Sequence, residues 1–308
     1  MTTNTPQQTV KDTSNDALMR AATYASVGVA LILVFAKLYA WTLTESVAML
    51  STLVDSLLDG AASIVTLVAV RHALTPADRE HRFGHGKAEA LAAMTQSVFV
   101  AGSGMVVLYQ AGERLLHPKP LAHTDIGVAV MVFSIALTLC LVLFQSYVIK
   151  RSGSVAITAD SLHYKGDLLI NLAVIAAFLI HMFLSWTLID PLIGGVIAGY
   201  LLFGAWRILH TALDMLMDRE LPATDRELIQ NIVMSHADVR DLHELRTRRS
   251  GQDVFIQLHL ELDADITLMK AHIISDDVER QVRDAFKGAE IFIHQDPEGL
   301  MEAHAQRH

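Results

Sequence analysis

Along the first two thirds of the chain, apolar residues come in long blocks rather than at alternating positions. Each block can cross a bilayer, which takes roughly 20 apolar residues in a helix. Six are read, at roughly 20–42, 47–70, 89–112, 125–148, 156–183 and 188–213. After about Leu213 the pattern changes, and "DMLMDRELPATDRELIQNIV" opens a mixed, charged region. In it, "DRELIQNIVMSH" places apolar residues at helical spacing. "VFIQLHLEL" alternates strictly, with Val254, Ile256, Leu258 and Leu260 on one face and Phe255, Gln257, His259 and Glu261 on the other. "MKAHIISDDVERQVRDAF" reads as a second amphipathic helix, and "AEIFIHQDP" as a strand ended by Pro297. The order helix, strand, strand, helix, strand predicts a small α+β sandwich of ferredoxin-like character.

The pattern therefore predicts an α-helical membrane protein with six transmembrane helices, followed by an α+β domain. The expected divisions are a disordered polar tail at 1–16, a membrane domain at 17–213, the α+β domain at 214–298 and a disordered tail at 299–308. No short apolar region with a small-residue cleavage site precedes the first span, so no cleaved signal peptide is expected. Composition agrees: 52% of 308 residues are hydrophobic and 19% charged, with a mean hydropathy of +0.37. Soluble domains average nearer 45–50% apolar and 25% charged.

Charge sets the expected orientation. Arg71, Arg79, Arg82 and Lys87 fall between spans 2 and 3, and Lys150 and Arg151 between spans 4 and 5. The opposite side has only Arg114 and Lys119 around the 3–4 loop. By the positive-inside rule both termini and the α+β domain are cytoplasmic. A net charge of −9 argues against a nucleic-acid partner. The lone cysteine, Cys140, reads as a small packing residue of span 4.

Ionisable residues inside spans cost about 2.5–3.5 kcal/mol at the helix centre, so the exceptions carry information. Lys37 in span 1 has a long stem that can snorkel, and it is given no role. Span 2 carries Asp55 and Asp59 in "LVDSLLDG", four residues apart and so on one helix face. Span 5 begins "ITADSLHYKGDLLINLAV", in which His163 and Asp167 repeat that spacing. Facing each other, the helices would offer three carboxylates and one imidazole. Two carboxylates in low dielectric cannot both ionise without a cation. A divalent metal removes the conflict, and four O/N ligands suit tetrahedral zinc or a similar borderline ion. Asp160, nearer the cytoplasmic end, is read as an interfacial or access-path residue.

Two further clusters follow. In "TPADREHRFGHGKAEA", Asp78, His81 and His85 are close enough in sequence for one ion, while Gly84 and Gly86 make the segment a flexible loop. Its bland alternative is a solvated basic loop. In the α+β domain, "RRSGQD" is a turn signal, and a hairpin centred on Gly251 pairs His243 with His259. Opposed Cβ atoms lie about 4.5–5.5 Å apart, workable for ligands sharing an ion. His272, His294 and Asp296 complete the set. His304 and His308 belong to the expected disordered tail.

The motifs "LVDSLLDGAAS", "HRFGHGKAEALAA", "ADSLHYKGDLLIN", "DLHELRTRRSG", "QLHLELD" and "FIHQDP" resemble those of the cation diffusion facilitator family, closest to its bacterial zinc and ferrous-iron efflux branch. The resemblance covers nearly the whole chain after the N-terminal tail. It implies a homodimer of six-helix protomers in a bacterial inner membrane, each with a metallochaperone-like cytoplasmic domain, exchanging a divalent cation for protons. It places the transport site on Asp55, Asp59, His163 and Asp167, and a loop site on Asp78, His81 and His85. It places a two-metal cytoplasmic site on His243, His259, His272, His294 and Asp296, with Gln295 adding a backbone oxygen. Lys87 and Asp218 match a charge contact that interlocks the dimer near the membrane surface. The Asp-Asp/His-Asp pattern is that of zinc and cadmium transporters, and His163 stands where manganese relatives commonly have Asn. Zn2+, with Cd2+ or Fe2+ as further substrates, is thus expected both as cargo and as a structural or regulatory ion. An intramembrane metallohydrolase is the rival from another class, but no H-E-x-x-H occurs and four ligands would leave no position for water. A sensor whose membrane part only anchors it is the second rival.

Overall fold

The computed structural model describes residues 13–45, 47–116, 125–184 and 189–299. Six long helices come first: α1 (Thr13–Thr44), α2 (Val47–Ala73), α3 (Lys87–Leu116), α4 (Asp125–Ser152), α5 (Val155–Leu184) and α6 (Ile189–Leu216). Each contains one of the apolar blocks. The chain divides into two compact units, one at Ser14–Leu213 and one that begins at Asp214. Helix α1 starts within the expected tail at 1–16. The rest of that tail, Lys119 and residues 300–308 with His304 and His308 lie outside the described residues.

Among the described residues, five helices hold an apolar 18-residue window with at most two Asp, Glu, Lys or Arg. The sixth, α5, gathers its charged residues, Asp160, Lys165 and Asp167, in its first half and carries none from Leu168 to Leu184. At 30 residues it is nonetheless about 45 Å long, enough to cross. Its polar side is turned inward: Asp160, Ser161, His163 and Tyr164 are all buried. Large apolar residues such as Phe35, Val68, Val98, Leu143 and Val196 look outward, as helices bathed in lipid require.

Close packing fixes α5 against α6. A β-carbon at Gly166 would lie 2.8 Å from Leu201 Cδ2, and one at Gly204 would lie 2.6 Å from Leu162 Cδ2. Each helix thus seats a leucine against a glycine of the other, the small-residue packing that membrane helices favour. The start of α5 is also pinned. Ser154 Oγ accepts from the Ile157 N–H (3.2 Å), and Glu89 of α3 accepts from the N–H groups of Val155 (2.7 Å) and Ala156 (3.4 Å). A carboxylate there satisfies free donors and complements the helix dipole.

The second unit contains α7 (Ala223–Met234), β1 (Asp241–Ser250), β2 (Asp253–Leu262), α8 (Leu268–Ala285) and β3 (Glu290–Pro297). The sheet order is β1-β2-β3, with β1 antiparallel and β3 parallel to the central β2. The strict alternation of β2 sends Ile256, Leu258, Leu260 and Leu262 into a core with Ile229, Val233, Ile274, Val278 and Val282 of the two helices. His259 and Glu261 consequently lie on the other face.

The hairpin differs from the one expected. Its turn is the two-residue Gly251–Gln252, with Ser250 opposite Asp253 and Gly251 at φ +59° supplying the left-handed backbone of a tight hairpin. That register would set residue 244, not 243, opposite His259. An irregularity between His243 and Arg246 absorbs one extra residue, with Glu244 at φ +48°. This β-bulge re-aims the strand and brings His243 opposite His259.

Candidate metal centres

Helix α2 carries a polar stripe at Thr52, Ser56, Asp59, Ser63 and Thr66, spaced four and three residues apart. Ser56, Ser63 and Thr66 are fully buried. From α5, Tyr164 Oη lies 2.8 Å from Ser63 Oγ, and His163 Nε2 donates to Asp59 Oδ1 at 2.9 Å. The same nitrogen lies 3.6 Å from Asp167 Oδ2. Two ligands on one tetrahedral zinc, at bonds of 2.0–2.1 Å, are about 3.3 Å apart. The three groups bracket that spacing, and the Nε2 proton occupies the point a cation would take.

Asp55 stands apart. It falls at the edge of the polar stripe, is exposed, and does not join Asp59, His163 and Asp167 within ligand distance. Two nearby residues differ from their expected roles. Lys37 does not snorkel outward: its Nζ crosses to α2 and donates to Ser56 Oγ (2.6 Å) and the Thr52 carbonyl (3.2 Å). Asp160 is not an access-path residue. It is 1% exposed and accepts hydrogen bonds from Ser26 Oγ of α1 (2.6 Å), Gln145 Nε2 of α4 (2.8 Å) and Gln96 Nε2 of α3 (3.2 Å). It ties four helices together one turn from His163. The sequence signal was there: single polar residues facing one another from otherwise apolar spans.

The loop cluster converges as well. Asp78 Oδ1 accepts from the backbone N–H groups of His81 (2.6 Å) and Glu80 (2.9 Å), and lies 3.4 Å from His81 Nδ1. Its Oδ2 lies 3.4 Å from His85 Nε2. The backbone N–H of His81, foremost, holds the Asp78 carboxyl below the usual carboxylate range despite some desolvation. His85 is buried, with Nδ1 3.4 Å from the Thr75 carbonyl. A carbonyl only accepts, so Nδ1 donates to it, which leaves Nε2 as the nitrogen turned toward the Asp78 carboxylate, in position to share an ion with it. The loop expected to be flexible is organised around one side chain.

On the sheet, Asp296 gathers three imidazoles. Its Oδ2 lies 2.9 Å from His259 Nδ1 and 3.3 Å from His243 Nε2, and its Oδ1 lies 3.0 Å from His294 Nε2. His294 is directly beside His259 in the parallel pair, so the three histidines form a row across three strands. One carboxylate with a separate oxygen toward each end of that row can bridge two ions. His272 does not join. It sits exposed on α8 beside Asp276 (3.5 Å), in the helical layer on the far side of the sheet. The Gln295 side chain is turned to the helical layer, its Nε2 donating to Ser275 Oγ on α8 at 2.8 Å.

Lys87 opens α3, and Asp218, at φ +57°, lies 3.2 Å from Arg248 Nη1. Arg248 in turn stacks 4.4 Å above the Phe255 ring.

Comparison with known proteins speaks to the whole chain. Residues 23–217 match the model of the cation efflux transmembrane domain, and residues 221–298 that of the cation efflux protein cytoplasmic domain. The cation-efflux pump FieF of Shewanella oneidensis is 44% identical over 282 residues, which cover 92% of this chain and 95% of that one. The pump of the same name from Yersinia enterocolitica is 44% identical over 293 residues, covering 94% and 96%. A solved metal-bound C-terminal domain of the CzcD transporter from Thermotoga maritima covers 27% of this chain and all of its own, at 23% identity and a TM-score of 0.25. Six long helices, a following α+β domain and family matches over nearly the full length agree: the chain belongs to the cation efflux, or cation diffusion facilitator, family, whose members are metal-cation transporters rather than enzymes.

Proposed function

We propose that the chain exports Zn2+, and also Cd2+ or Fe2+, across a bacterial inner membrane by exchanging the cation for protons, with alternating access around the site on Asp59, His163, Asp167 and Asp55. The observation that carries this reading is the convergence of Asp59, His163 and Asp167 from two different helices within the membrane domain. Zinc requires an imidazole lone pair and ionised carboxylates, so protons and metal compete for the same atoms. In the geometry described, the proton that His163 Nε2 gives to Asp59 stands where the ion would bind. Protons arriving from the outer side would displace the metal outward and neutralise the carboxylates of the returning carrier. Both termini are cytoplasmic in this reading, as the arginine- and lysine-rich loops suggest.

Asp55 would complete the shell at one stage of the cycle, since it lies one turn from Asp59 on α2. The cytoplasmic row holds structural or regulatory zinc and stabilises a homodimer. Within one protomer the sheet separates His272 from that row, so His272 serves it across a subunit boundary. Lys87 and Asp218 belong to the same dimer contact, near the membrane surface. Proteoliposomes carrying an internal pH-sensitive dye test the exchange: zinc added outside should drive protons out of the lumen, raising internal pH in proportion to zinc uptake. Zinc movement with no change of internal pH would overturn the exchange and leave the site intact.

A further inference from the structure

The loop cluster has a neighbour that its sequence spacing hides. His72, in the last turn of α2, lies six residues before Asp78 and outside the D-x-x-H-x-x-x-H run. Its ring centre lies 4.5 Å from that of His85, edge-on at 63°. The His81 ring centre lies 4.6 Å from that of His85. Three imidazole rings therefore adjoin one another where α2 ends and the loop begins, two of them against the Asp78 carboxylate. Asp78 lies 3.4 Å from one nitrogen each of His81 and His85, through its two different oxygens, and the three ligand atoms lie within 4.8 Å of one another; three protein ligands leave one position of a zinc tetrahedron open. The His72 ring is exposed and its backbone is already fixed by the helix. As it stands His72 lies outside the three-ligand group, so its ring would turn about its side-chain bonds to reach that position.

We infer that His72 is the fourth ligand of the loop centre, closing with Asp78, His81 and His85 a tetrahedral shell of three imidazoles and one carboxylate around a divalent cation of zinc's class. The inference rests on the loop cluster being a metal site. A closed nitrogen-rich shell favours borderline ions over magnesium or calcium, and it holds a resident ion rather than passing cargo. It would also clasp the end of α2 to the segment leading into α3.

Cobalt is the probe, because four-coordinate Co2+ absorbs strongly in the visible and six-coordinate Co2+ does not. The parent is the full-length chain in detergent, with Asp59→Ala and His259→Ala silencing the other two centres. It should bind Co2+ with the intense four-coordinate spectrum. His72→Ala should lose that intensity and bind more than about tenfold weaker, the least that loss of an outer-shell partner alone costs. His72→Cys should regain it and add a sulfur-to-cobalt charge-transfer band in the near ultraviolet, which a residue out of reach of the ion could not produce. A His72→Ala spectrum and affinity equal to the parent's, or a His72→Cys protein without the new band, would overturn the assignment. If Asp78→Ala leaves the parent's cobalt signal unchanged, the loop site itself fails, and His72's place in it fails separately and visibly.

Discussion

His163 and Asp160 sit three residues apart on one helix and do opposite work. His163 holds its nitrogen among oxygens from two helices at distances that suit an ion, whereas Asp160 is already saturated by three side-chain donors. Removing Asp160 would take from Gln96 its side-chain acceptor and leave Ser26 and Gln145 only each other and the Ala22 carbonyl, and a buried polar group left unpaired costs about 1–3 kcal/mol. Asp160→Ala should therefore unfold at a clearly lower temperature in detergent, while Asp55→Asn, at the exposed edge of α2, should match the parent. At the loop, acid acts on a different group. The Asp78 pKa lies below the ordinary value, so what its ionised form contributes is present above that value and lost only as pH falls through the lower, folded one. Protonation of Asp78 should thus release no metal from the loop until pH falls below the ordinary carboxylate value, and loss of bound Co2+ at or above that value that Asp78→Asn abolishes would contradict this. Spacing in the sequence marked His163, Asp59 and Asp167, because one helical turn is a local rule. It misjudged Lys37 and Asp160, since whether an intramembrane charge faces water, a ligand or a set of donors depends on the helices opposite.

At the scale of elements, α5 is positioned by contacts that contain no ligand. Glu89 satisfies its first N–H groups, and Gly166 and Gly204 let α6 close upon it. Gly204→Leu would drive a side chain into Leu162, the neighbour of His163. It should weaken zinc binding at the membrane site in calorimetry while leaving binding at the sheet unchanged. The bulge in β1 is the corresponding device in the second unit. A β-branched residue at φ +48° is strained by roughly 1–3 kcal/mol, and glycine is not. Glu244→Ile should lower the thermal stability of this domain and weaken its zinc binding by letting the register slip. Glu244→Gly should retain both. The alternation of β2 was readable because a strand's period is two whatever surrounds it. The bulge was not, because a turn centred on Gly251 and a two-residue turn followed by a bulge deliver the same pair of histidines.

For the molecule as a whole, the block pattern was the most legible feature, since a bilayer demands a fixed length of apolar helix. The division near residue 213 followed from the same pattern. Less legible was which ligands one protomer assembles alone. Asp59, His163 and Asp167 meet, as do His243, His259 and Asp296, whereas Asp55 and His272 face outward from their own groups. The central claim is that the Asp59, His163 and Asp167 cluster is the path of the ion. Zinc uptake by proteoliposomes under an imposed pH gradient tests it most directly, with Asp59→Asn and His163→Ala compared against the parent and a Cys140→Ala control. Uptake should fall to the level of protein-free vesicles in both site variants and stay unchanged in the control. Uptake by either site variant at the parent's rate would contradict it.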